Sequence, residues 1–187
     1  MPVNTLSNLK DYIIRPATLV DRSAIASLIE RSARGLSQHD YSSEQIEGAI
    51  AEVFGVDSDL IHDQTYFVAE ATGVLIGCGG WSKRRNLFGG DRYPIRETGE
   101  LDPKREPAKI RAFFVHPDWA RRGVGRAILS VCERKAQESG FQSVELMSTL
   151  PGIALYRACG YEGHEVVLLE MKGGVKLPLV PMTKVFE

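Results

Sequence analysis

The stretch Phe113-Phe114-Val115-His116-Pro117-Asp118-Trp119-Ala120-Arg121-Arg122-Gly123-Val124-Gly125-Arg126-Ala127 limits the fold more than any other part of the chain. Ile110 to Val115 is an apolar, aromatic run of strand length, and Pro117 stops it. Ile128, Leu129, Val131 and Cys132 then recur at helical spacing until Gly140. Between strand and helix lies a turn in which Gly123 and Gly125 let the backbone approach a ligand closely. The helix start offers unpaired N–H groups and a partial positive charge. Arg121, Arg122 and Arg126 add three cations against Asp118 alone. Such a turn is an anion site, and a pyrophosphate suits it.

Two familiar phosphate loops do not match. A Walker A turn needs Lys followed by Ser or Thr, where this chain has Arg126-Ala127. A Rossmann fingerprint needs a third small residue, where Ile128 stands, and belongs early in a βαβ unit.

The remaining pattern predicts a mixed α/β order. Tyr12–Arg15 reads as a strand, and Thr18 with Asp21 opens a helix carrying Ile25, Leu28 and Ile29 on one face up to Gly35. Ser42 and Gln45 have capping-box spacing for a second helix with Ile46, Ala49, Ile50 and Val53 inward. Residues 65–70 and 74–81 read as paired strands around a 71–73 hairpin loop. After the central strand and helix come a strand at 143–148, a short helix through Tyr156 closed by Gly160, and strands at 164–171 and 177–186. Pro178 and Pro181 place the last strand near an edge or make it irregular, and the irregularity leaves room for a homodimer contact. Strands alternate with helices only in the second half, so one parallel pair is expected at the centre of a mixed sheet. No second core is evident, and residues 1–187 read as one domain.

Lys83–Lys109 differs in kind, with Gly89-Gly90, Pro94, Gly99, Pro103 and Pro107 and few aliphatic residues. It reads as a long loop insertion, and loops of this length are often functional. Nine Lys/Arg stand against five Asp/Glu from Lys83 to Arg111, an excess that hints at an acidic acceptor or a further phosphate. Over the whole chain 23 Lys+Arg balance 24 Asp+Glu, so total charge asks for no nucleic acid partner. Cys78, Cys132 and Cys159 are too widely spaced for a metal site and read as reduced thiols; no metal is expected. No apolar run reaches membrane-spanning length and the first ten residues lack a signal-peptide profile, so a cytoplasmic protein away from membranes is expected.

With these elements in place, the 113–127 segment resembles the acyl-CoA pyrophosphate loop of the GNAT (GCN5-related) N-acetyltransferases, whose pattern is Gln/Arg-x-x-Gly-x-Gly/Ala. Gly123-Val124-Gly125 match its glycine half, whereas Ala120 stands at its first position. Ala154-Leu155-Tyr156-Arg157-Ala158-Cys159-Gly160-Tyr161 is similar to the family's Leu-Tyr-x-x-x-Gly-Phe segment, although the Asn preferred before it is missing from Leu150-Pro151-Gly152. The resemblance runs from Tyr12 to Phe186, with 83–109 as an enlarged insertion. It implies an α/β GNAT fold: a mixed, mostly antiparallel central sheet with one splayed parallel strand pair and helices on both faces. It also implies acetyl-CoA as cosubstrate. Phe113, Phe114 and Val115 would hold the pantetheine arm, Arg121, Arg122, Gly123, Val124, Gly125 and Arg126 the pyrophosphate, and Tyr156 would lie near the sulfur as the catalytic residue.

The chemistry of acetyl transfer can be set out beside that likeness. A primary amine must lose a proton and attack the thioester carbonyl. A backbone N–H near Val115 would polarise that carbonyl, and the Tyr156 hydroxyl would protonate the leaving thiolate. Direct attack in a ternary complex is expected; Cys159, on the Tyr156 helix face, has no activating His or Asp in view for a covalent route. Glu70, Glu106, Glu145 or a water chain are the candidate bases, and His116 reads as a strand-end residue bonded to backbone. His39, Asp40 and Tyr41 fall where the family forms its acceptor site, or are solvated loop; Trp81 and Phe88 are candidates for its wall. The acceptor is a small-molecule or peptide amine. A non-catalytic acyl-CoA-binding sensor module of the same fold is the alternative.

Overall fold

A computed structural model describes residues 11–86, 88–95 and 97–187. Its strands are β1 (Ile13–Pro16), β2 (Tyr66–Ala71), β3 (Val74–Ser82), β4 (Ala108–Val115), β5 (Ser143–Thr149), β6 (Val167–Glu170) and β7 (Lys176–Val185). Its helices are α1 (Arg22–Leu36), α2 (Ser43–Glu52), α3 (Ser58–His62), α4 (Val124–Glu138) and α5 (Ile153–Ala158). One sheet runs in the order β1-β2-β3-β4-β5-β7-β6, and every pair is antiparallel except β4–β5. The expected α/β fold, a mixed sheet with one central parallel pair, is therefore present.

Period-2 alternation sorts the sheet residues between two cores. On β2, Tyr66 and Val68 join Ile25, Leu28 and Ile29 of α1, whereas Phe67, Ala69 and Ala71 join Ile128, Leu129 and Cys132 of α4. Helices thus cover both faces. Ser42 and Gln45 form the reciprocal cap of α2, with Gln45 N–H donating to Ser42 Oγ (3.2 Å) and Ser42 N–H to Gln45 Oε1 (2.9 Å).

What positions the site is how briefly the parallel pair stays together. β4 and β5 pair only at Ala108↔Val144 and Lys109↔Glu145. A bulge opposite β3, where the register shifts between Cys78 and Gly80, puts Ala112 at φ +59°. The rest of β4 then leaves β5, and the strands splay apart. On the far side of β5 a second separation is held open by Tyr41. Its hydroxyl donates to Pro178 O (2.6 Å) and accepts from Leu150 N–H (2.9 Å), just past the last β5–β7 pair, Thr149↔Leu179. Burial pushes the Tyr41 phenol up to about 12, so it stays a donor. Tyr41→Phe leaves a backbone N–H and a carbonyl at this junction without their partner; denaturant unfolding should show a loss of about 1–3 kcal/mol.

The last strand departs from expectation. β7, with Pro178 and Pro181, lies between β5 and β6 rather than at an edge. Each proline nitrogen falls where no ladder bond is needed. Thr183 N–H bonds Glu162 O on the β6 side, so Pro181, two residues earlier, faces that side, beyond the last β6 pair at Val167↔Leu179. Pro178 faces the other side, where Tyr41 has taken over from β5. β6 is the edge strand beside β7 and covers only half of the expected 164–171 run.

Residues 83–107 hold no helix or strand among those described, apart from an isolated Arg84↔Glu100 bridge. The segment is anchored rather than loose. Arg84 makes two 2.7 Å bonds to Asp63, which hold that carboxyl below its usual range. Arg85 pairs with Glu106, Lys83 with Glu100, Lys109 with Glu145, and Arg92 Nη1 donates to Ile50 O (2.7 Å). Much of the segment's described positive charge is thereby paired with the protein's own carboxylates and carbonyls.

Candidate active site

The splay between β4 and β5 opens into a cleft of roughly 740 Å³. One end is the turn into α4. Arg121 has φ +63° and Gly123, the residue before the helix, φ +82°. The N–H groups of Val124, Gly125 and Arg126 precede the first intrahelical bond, Ala127 N–H to Gly123 O (3.0 Å), and Gly123 brings no side chain to cap them. Arg121, Gly123, Val124, Gly125 and Arg126 all line the cleft. Arg122 does not: its guanidinium stacks on the Trp119 ring, 4.1 Å from the centroid. Arg126 also donates to Ala158 O (3.0 Å), which ties this turn to the end of α5.

Gly125 is needed for close approach. A Cβ there would lie 3.1 Å from Leu155 and 3.5 Å from Val115. Gly125→Val should crowd both and push the first turn of α4 out of place, weakening acetyl-CoA binding about 10-fold or more in a calorimetric titration.

The side wall is β4. His116 N–H bonds Ile76 O of β3 (2.9 Å), so the N–H of Val115, and by alternation that of Phe113, face the cleft. Phe113, Phe114 and Val115 all line it. Val115 N–H donates to Ser32 Oγ of α1 (3.2 Å), so a ligand oxygen placed there must displace that hydroxyl or share the N–H. Sequence reasoning did not single out Ser32, yet it continues the Ile25, Leu28, Ile29 stripe at helical spacing and is buried; a hydroxyl on an apolar stripe was the available signal.

Tyr156 enters from α5, opposite β4. Its ring is edge-on to Phe113 (6.4 Å) and Tyr161 (5.6 Å), and it lines the cleft. Burial pushes its phenol well above the ordinary value, so the hydroxyl stays protonated at any working pH.

Among the candidate bases, Glu70 is bonded to Arg15 (2.8 Å), Glu106 to Arg85 and Glu145 to Lys109, and none lines the cleft. His116 accepts from Asp118 N–H (3.2 Å) and meets Arg31 (3.1 Å), outside the cleft. Cys159 is half-buried and outside it, its thiol pushed up by burial. Tyr41 is the wedge described above, His39 is exposed away from the cleft, and Asp40 borders it. Trp81 packs in the core against Phe141 (6.0 Å), whereas Phe88 lines the cleft. Among the described residues no group of three or more His, Cys, Asp or Glu side chains could hold a metal, and no helix is long and apolar enough to cross a membrane.

A family model described as the acetyltransferase (GNAT) family matches residues 26–161, which include β4, the glycine turn and Tyr156. The chain belongs to the GNAT acetyltransferase family. A curated relative, an uncharacterized N-acetyltransferase of Methanocaldococcus jannaschii, is 37% identical over 163 residues; the match covers 85% of this chain and spans 64% of the relative's length. Among solved structures, a GCN5-related N-acetyltransferase from Rhodopseudomonas palustris aligns with TM-score 0.69 at 20% identity over 93% of this GNAT chain and 95% of that one. The PaiA N-acetyltransferase of Thermoplasma acidophilum, solved with coenzyme A, aligns at 0.63 and 15% identity over 94% and 99%. A putative acetyltransferase of Salmonella typhimurium, solved with acetyl-CoA, aligns at 0.60 and 20% identity over 95% of each. At these identities the likeness to the solved structures is one of fold.

Proposed function

We propose that this chain transfers the acetyl group of acetyl-CoA to a primary amine by direct attack in a ternary complex. The observation that carries the reading is that one cleft joins a phosphate-shaped helix start to a buried, protonated tyrosine. The pyrophosphate is assigned to the N–H groups of Val124, Gly125 and Arg126, with Arg121 and Arg126 adding charge. Arg122 is left out of that set, because it is stacked on Trp119. The pantetheine arm is assigned to the cleft-facing backbone of Phe113 and Val115, as an added strand beside β4.

The neutral amine attacks the thioester carbonyl, and the Val115 N–H stabilises the negative oxygen that forms. The C–S bond then breaks, the sulfur receives the Tyr156 proton, and solvent restores it. The ammonium gives up two protons, one before attack and one from the adduct, and the sulfur takes up one through Tyr156, so one is released overall. No carboxylate among the earlier candidates reaches the cleft, so the amine's protons are assigned to water. Thiol release from acetyl-CoA against a panel of amines tests the reading. Amine-dependent release is the expected result; tight acetyl-CoA binding without release by any amine favours the sensor-module alternative.

A further inference from the structure

Away from the glycine turn the cleft changes character. Its wall there is built from Val53 and Phe54 after α2, Phe88 of the 83–107 segment, Met147 of β5 and Leu179 of β7. These side chains belong to one apolar cluster, distinct from the one that holds Phe113 and Tyr156. Phe54 packs edge-on against Phe114 (5.4 Å), and Phe88 is braced by Tyr93 (5.1 Å). Besides Arg121 and Arg126 at the glycine turn, two charged side chains line the cleft. Arg111 is engaged by Asp57 (2.8 Å) and by Asn86 O (2.6 Å). Asp40 is exposed, has no ion-pair partner among the described residues, and is the one carboxylate among the described residues that line the cleft.

We infer that the acceptor is a small primary amine with one positive charge on an apolar, aromatic-sized body, its ammonium drawn to Asp40 and its body seated against Phe54, Phe88 and Met147. The inference rests on the acetyl-transfer reading and names the substrate class of the same site. A carboxylate at the rim attracts the cation from water and keeps it charged while it stays there; the proton is lost once the nitrogen leaves Asp40 for the apolar cleft, where burial lowers its basicity. A polyamine would have to bury a second ammonium against Val53, Phe54 and Phe88, where no carboxylate meets it. An acidic amine would bring its own carboxylate to Asp40, with Arg111 already engaged by Asp57. A peptide would need space for polar backbone where Gly90 packs onto Val53 O and Gly55.

The test uses the full chain and initial rates of thiol release at saturating acetyl-CoA. Phenylethylamine, spermidine, glutamate and an alanine-initiated peptide are compared. Phenylethylamine is expected to have the highest kcat/KM, by about 10-fold or more. Phe88→Ala should raise its KM about 10-fold with the KM for acetyl-CoA unchanged, and Phe88→Leu should fall between. Asp40→Asn should raise the amine KM, and Asp40→Glu should restore it in part. Preference for spermidine, glutamate or the peptide overturns this inference and leaves acetyl transfer standing. Amine KM values unmoved by both Phe88→Ala and Asp40→Asn also overturn it. Absence of release with all four amines, with acetyl-CoA still bound, overturns it together with the transfer reading.

Discussion

Tyr156→Phe is expected to lower kcat by about 10²–10⁴-fold, the range typical of losing a positioned acid, with little change in the KM for acetyl-CoA. The ring fills the space between Phe113 and Tyr161, and phenylalanine keeps that packing. Only the hydroxyl is lost, and its proton is called on when the thiolate departs. The effect should therefore appear in kcat and kcat/KM together, the signature of an interaction made in the transition state. Since burial holds the phenol far above neutrality, no wild-type rate loss near neutral pH should trace to its ionisation. An unchanged kcat in the variant removes Tyr156 from the mechanism and assigns the proton to water.

Arg111→Met should cost about 3–5 kcal/mol of stability, the largest single loss expected outside the chemistry. Arg111 and Asp57 are both buried, at 4% and 0% side-chain exposure, with Nε to Oδ2 at 2.8 Å. The guanidinium also holds Asn86 O (2.6 Å), and Asp57 Oδ1 caps α3 by accepting from Leu60 N–H (3.1 Å). One pair thus joins β4, α3 and the 83–107 segment. Removing the cation leaves a carboxylate in a dry site. The double variant Asp57→Leu/Arg111→Met should be less destabilised than the sum of the two single variants, because neither charge is then stranded. Thermal unfolding of the four proteins checks this; additive losses would show that the two charges are not coupled.

The strand, turn and helix from Ile110 to Gly140 were legible because three local signals agreed: an apolar run, a stop at Pro117 and an apolar stripe after the glycines. The parallel centre followed from element order. Other features were hidden for physical reasons. Helix α3 spans five residues, too few for a periodic pattern, and its cap, Asp57, meets its cation 54 positions away at Arg111. The prolines of β7 suggested an edge; what permits them is a tyrosine hydroxyl and a late-starting neighbour strand, both remote in sequence. Glu70, Glu106 and Glu145 had the right chemistry for a base, and only the fold shows each of them paired with a cation outside the cleft. Arg122 looked equivalent to Arg121 and Arg126 until Trp119 claimed it. Conversely, Asp40 and Phe88, among the weaker candidates in the sequence, both border the cleft.

Amide hydrogen exchange with and without acetyl-CoA tests the central claim most directly. Saturating acetyl-CoA should slow exchange in peptides covering 110–116, 121–127 and 150–158, which carry the β4 wall, the glycine turn and the Tyr156 helix. Protection confined to other segments, or none at saturating acetyl-CoA, would contradict the assignment of this cleft.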